Sequence, residues 1–257
     1  HHELRAELAE TNALLASKAV CARRPAAVLE FRGSATAAAR SLVDLAPADA
    51  ARRLLLAGVW ISIGCDLQAY DRGDEAERHL RNGLAAFDVS LELDPAADRL
   101  RSFMAYGMGV LAQCLKPRRK GLEEAEALLR RAVDIRRALV DEQPQSLDVQ
   151  RFLGDDLRQL GELRRLQGSP AEAVELCEEA VDLQQSVHSC VPMDPNGREF
   201  LRNACVELAK ARRAFGDPAG AVKAAEELIR DLPDDALAQA MAAGFLEGRA
   251  SARAVVE

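Results

Sequence analysis

The stretch QRFLGDDLRQLGELRRLQGSPAEAVELCEEAV, residues 150–181, aligns over 32 positions without a gap with REFLRNACVELAKARRAFGDPAGAVKAAEELI, residues 198–229. A fixed period of tens of residues settles the architecture before any local propensity does. Working outward from this pair, Ala27, Ala76, Ala125, Ala173 and Ala221 recur at steps of 48 or 49 residues, as do Pro47, Pro95, Pro144 and Pro192. Phe103, Phe152 and Phe200 keep the same step.

Within a unit the apolar residues fall at spacings of three and four: Leu153, Leu157, Leu160 and Leu163, then Ala173, Leu176, Ala180 and Leu183. That spacing predicts two amphipathic helices per unit. Gly168-Ser169-Pro170 and Gly216-Asp217-Pro218 spell the turn between them, with Gly where one helix stops, Ser or Asp as N-cap, and Pro at the first helical position. Pro25 repeats that role. Asp94-Pro95, Gln143-Pro144 and Val191-Pro192 close the second helices, because the residue before proline is pushed out of helical geometry. The expected layout is one all-α array of five hairpins near 1–48, 49–97, 98–146, 147–194 and 195–235, with a capping helix over 235–248. Leu237, Met241, Phe245 and Leu246 form the apolar stripe expected to face the fifth hairpin.

These hairpins resemble tetratricopeptide repeats (TPR), two-helix units of 34 residues. Leu160-Gly161 matches the family's Leu-Gly pair, and Ala173 and Ala180 its two small residues of the second helix; Ala125 and Ala132 repeat that pair. Ala221 to Pro233 spans the family's own distance, whereas in the other units each helix is longer by about seven residues, close to two turns. The family's Tyr position in the first helix is held by Lys or Arg in most units, and Gln113 stands in place of the Gly in the third. The resemblance covers the whole chain as a variant with a repeat of about 48 residues, similar to long-helix arrays attached to bacterial signalling kinases and regulatory ATPases. It implies an α-solenoid, a right-handed superhelix whose first helices line a concave groove that takes a partner peptide or helix.

Composition agrees with packed helices. The 257 residues are 49% hydrophobic and 29% charged but only 4% aromatic, with Ala and Leu carrying most of the apolar content. The formal net charge of -7 comes with basic residues scattered among acids, which argues against nucleic-acid binding. The sequence has no apolar run of the roughly 18 to 20 residues a membrane span needs, and no signal-peptide pattern, so a cytoplasmic protein is expected. The six cysteines form no CxxC pair and are expected to be reduced. The start at His1-His2 suggests a region excised from a longer protein.

No phosphate loop, nucleophile elbow, metalloprotease or kinase motif is present, so the reading is a non-catalytic scaffold with no cofactor and no metal. Cys177 and His188 sit 11 residues apart, roughly 16 Å along a helix, too far to share an ion. His79 and the acidic pairs Glu123-Glu124 and Glu178-Glu179 read as solvated. Mapped onto the groove, the second and third first helices offer a small, apolar strip of Gly58, Ile61, Cys65, Gln68, Gly107, Val110 and Cys114. The fourth and fifth offer Asp155, Arg158, Glu162, Arg165, Asn203, Lys210 and Arg213. Arg158, Arg165 and Arg213, at steps of 7 and 48, are expected to make a cationic patch for an acidic partner segment. Two alternatives stay open: the small residues serve helix packing, and Asp155 and Glu162 neutralise the arginines internally. A regulatory or sensor region of a larger signalling protein is the other functional reading, and an enzyme with a site in the groove the least favoured.

Overall fold

A computed structural model of the chain describes residues 25–45, 49–93, 98–117 and 121–254. Among them there are ten helices and no strand. They are α1 (Pro25–Leu45), α2 (Ala50–Ala69), α3 (Gly73–Leu93), α4 (Asp98–Leu115), α5 (Leu122–Glu142), α6 (Leu147–Leu166), α7 (Pro170–Cys190), α8 (Pro195–Phe215), α9 (Pro218–Asp231) and α10 (Ala236–Ala254). The fold is an all-α arrangement of consecutive antiparallel hairpins. The first helix expected for hairpin one, and the closing Pro47 and Pro95, lie outside the described residues.

The turn chemistry operates as the residues dictate. Gly216 ends α8 in the left-handed region at φ 88°, and the Asp217 carboxylate accepts the Gly220 amide at 2.7 Å. Asp71 takes the left-handed conformation at the equivalent turn of hairpin two, φ 60°, which aspartate tolerates better than most residues. Ser169 occupies the N-cap of α7, but its side chain makes no capping hydrogen bond. Helices α5 and α7 stop at Glu142 and Cys190, immediately before Gln143-Pro144 and Val191-Pro192.

The chain divides into two compact units, residues 1–128 and 129–257, with the boundary inside α5. In the first, Ile61 is fully buried in a socket made by two glycines: a Cβ at Gly83 or Gly107 would stand 2.8 or 2.6 Å from its Cδ1. Leu80, Phe87, Met104 and Met108 complete that core. In the second, Leu157, Leu160 and Leu163 of α6 pack with Ala173, Cys177 and Ala180 of α7, all buried. Gly161 is a point of close approach, since a Cβ there would meet Cys177 Sγ at 2.6 Å. Small residues recur at the repeat step because helices this close have no room for larger ones.

Helix α10 packs on α9 and α8 but differs from expectation in two ways. It runs through Gly248 to Ala254, and its buried face is Ala238, Ala242 and Phe245, of which Phe245 alone belongs to the expected stripe. Leu237 is 53% exposed. Alanines fit the close contact, so the helix turns its large Leu237 outward.

Candidate functional site

In the first unit, the outward face of the first helices carries large apolar side chains. Leu54 of α2 and Phe103 of α4, one repeat step apart, are 37% and 38% exposed, and Tyr106, one turn further along α4, is 39% exposed. The Phe103 and Tyr106 rings lie 6.1 Å apart, and Phe103 makes an edge contact with buried Phe87 at 6.0 Å. A Cβ on Gly58 of α2 would meet Phe103 at an ordinary 3.8 Å, so the glycine is a gap beside the ring and not a clash. The sequence reading chose residues further along the same two helices. Ile61 is fully buried, Val110 nearly so, and Gly107 and Cys114 are buried too: these are packing residues. Gln68, Gly58 and Cys65 are partly exposed. Tyr106 was recoverable, because it lies 49 residues before Asp155, which was selected.

In the second unit, the corresponding face is polar and internally paired. Asp155 accepts from Arg158 at 2.7 Å and from Gln159 at 2.9 Å, and Glu162 stands 3.8 Å from Arg158. Arg165 donates across to Glu207 of α8 at 2.6 Å, and Lys210 completes that carboxylate at 3.1 Å. Asn203 is half-buried. Arg213 stacks 4.5 Å over the Phe245 ring and donates to the Gly244 carbonyl. The three arginines therefore do not form the compact cationic patch expected of them; each is committed to a neighbour. Burial pushes the Cys177 thiol up to about 12, with Glu207 adding to the effect, so it stays protonated and unreactive.

The arginines at the family's Tyr position brace turns. Arg164 Nη2 lies 2.6 Å from Glu172, at the start of α7, and Arg212 reaches Glu178 and the Gly220 carbonyl. Of the acidic pairs read as solvated, Glu124 pairs with Arg81 and Glu179 with Arg137, and outside those pairs Glu172 meets Arg130, each bond joining consecutive second helices. Arg81 and Arg130 are one repeat step apart, as are Glu124 and Glu172, so the pairs form a ladder that sequence spacing alone did not reveal. His79 is half-buried, not solvated, and burial beside Arg78 lowers its pKa. The described residues hold no cluster of three or more metal-ligating side chains. A buried ion pair, Arg136 with Asp156, was not anticipated; its partners lie 20 residues apart on different helices.

The chain has counterparts among solved structures. Its structure is similar to a putative kinesin light chain from Podosopora anserina with nearly identical TPR-like repeats, at TM-score 0.58 and 20% identity over 90% of this chain and 97% of that one. It is also similar to BtubC from P. vanneervenii, at TM-score 0.53 and 18% identity over 90% and 91%. A third likeness is to the MamA protein, at 0.51 and 14% over 91% and 96%. The fold is TPR-like. Neither a protein-family model nor a curated protein matches the chain. At these identities the likeness of the TPR-like array to solved structures speaks for the fold alone.

Proposed function

We propose that this TPR-like array is a non-catalytic protein-interaction scaffold of the cytoplasm, binding a protein segment on the first-helix face of its units. The observation that carries the reading is the trio Leu54, Phe103 and Tyr106, each more than a third exposed and grouped on neighbouring helices. Grouped, exposed large apolar side chains mark interaction surfaces, and aromatic anchors supply most of the energy of such contacts. On the second unit, taken by itself, Arg158, Arg165 and Arg213 of the polar face of α6 and α8 already have partners, and Lys210, about half exposed, is the cation there best placed to meet an acidic residue of a partner. A cytoplasmic location accords with the five described cysteines, all of which are free. Among the described residues no helix is long and apolar enough to cross a membrane.

The test is affinity capture with the full chain and with the double variant Phe103→Ala/Tyr106→Ala. A protein retained by the native chain and lost from the double variant, with both melting alike, supports the reading. Equal retention by both would move the binding face elsewhere.

A further inference from the structure

One fully buried place, in the second helices or, in the last hairpin, at the C-cap of α9, is filled in turn by Phe87, Arg136, Gln184 and Leu232, at steps of 49, 48 and 48. The place that Asp156 holds in α6 is filled by Gly107 in α4 and Ala204 in α8. An ion pair thus stands between α5 and α6 where the repeat elsewhere puts small or uncharged residues. Arg136 is 1% exposed and Asp156 4%. Arg136 Nε donates to Asp156 Oδ2 at 2.8 Å, and its guanidinium lies 4.8 Å from the centre of the Phe152 ring. Among the described residues that is the one hydrogen bond the Asp156 carboxylate accepts. A single donor leaves an ionised, buried carboxylate poorly compensated, and desolvation outweighs what one pairing returns.

We propose that Asp156 is a proton-operated latch between α5 and α6, tight while its carboxyl carries a proton and eased as it ionises. Burial pushes this carboxyl up to about 7, against the pull of Arg136 and with the repulsion of Asp155 added. The charges acting on it are Arg136 from α5 and, on its own helix, Asp155 and Arg158. Of the other helices packed on α6, α7 brings the protonated Cys177, and α8 brings Glu207, already held by Arg165 and Lys210. The folded value lies above that of an unfolded aspartate, so the folded chain binds more protons in the range between them. The contact is therefore firmest below about pH 4, where the unfolded carboxyl is protonated too, weakens as pH rises from there, and has lost this contribution once pH has passed about 7.

Hydrogen exchange on the full chain, corrected for the intrinsic rate, reads the latch directly. For amides of α6 and the second half of α5, the opening equilibrium should rise about tenfold between about pH 6 and pH 8. In Asp156→Asn, which keeps an acceptor for Arg136 but cannot ionise, the rise should vanish. Should that variant fail to fold, Arg136→Phe/Asp156→Gly, which installs the residues of the preceding repeat, makes the same comparison. A flat or opposite response in the native chain, or a tenfold rise that persists in either variant, overturns the proposal.

Discussion

Gly161 offers the most direct test of the packing argument, because the repeat itself supplies the control. A methyl at this position meets Cys177 Sγ at 2.6 Å and the Ala173 carbonyl oxygen at 3.2 Å. Gly161→Ala should gain about 0.5–1 kcal/mol from lower backbone freedom in the unfolded chain but lose about 1–3 kcal/mol to overpacking, for a net loss near 1 kcal/mol. Cys177→Ala removes one buried sulfur, comparable to losing a single methyl, and should cost about 0.5–1.5 kcal/mol. The double variant recreates the pair that stands 48 residues later, Ala209 and Ala225, both 1% exposed. It should therefore lie within about 1 kcal/mol of the native chain, a favourable coupling of about 1 kcal/mol or more. The Ala173 carbonyl, being backbone, leaves a residual cost that Cys177→Ala cannot relieve. Urea unfolding of the four proteins, followed by circular dichroism, measures the cycle. Strictly additive losses would show that Gly161 and Cys177 do not share the contact, and the assignment of close approach between α6 and α7 would fall.

Ala180→Leu, at a fully buried site, should destabilise by about 1–3 kcal/mol, read as a lower thermal midpoint. Arg136→Met alone should cost about 3–5 kcal/mol by stranding Asp156, whereas Arg136→Phe/Asp156→Gly should come out close to neutral in the same melts. Truncation after Pro233 removes Ala238, Ala242 and Phe245 from the fifth hairpin and the ring beneath Arg213, so α8 and α9 should lose hydrogen-exchange protection and the chain should aggregate more readily. Arg130→Ala breaks one rung of the exposed ladder and should shift stability by no more than about 1 kcal/mol, with the shift fading in high salt.

The period, the hairpins and their turns were legible because they rest on residues whose geometry is nearly fixed: prolines that end helices, glycine in the left-handed region at Gly216, and alanines where two helices nearly touch. The faces were less legible. Adjacent positions on a helix differ by about 100°, and a strip built from small residues reads equally as a tight interface or an open groove. Sequence favoured Ile61 and Val110, whereas the chain buries them and presents Leu54, Phe103 and Tyr106. On α10 the face slips by one residue: bulk suggested Leu237 and close packing selected Ala238. The Arg136–Asp156 pair was illegible for a different reason. Its members occupy two separate repeat positions on different helices, and only superposition of the hairpins brings those positions together.

The repeat also explains why the two units offer different surfaces on one backbone plan. The place held by Ile61 and Val110 in the first unit becomes Gln159 and Glu207 in the second, and all four are buried. A buried amide or carboxylate requires partners, and these are drawn from the helix faces: Asp155 for Gln159, Arg165 and Lys210 for Glu207. The charges of the α6 and α8 face are therefore partly a consequence of the polar groups beneath them. A ligand that recruited Arg165 would leave Glu207 short of its donor, at a cost comparable to what a new carboxylate contact returns. Leu54 and Phe103 carry no such debt, since an aliphatic chain and a phenyl ring offer no hydrogen bond to anything buried. Burying them against a partner gains hydrophobic free energy without displacing a hydrogen bond, which is why the proposed binding at the first unit should draw its affinity from this apolar face.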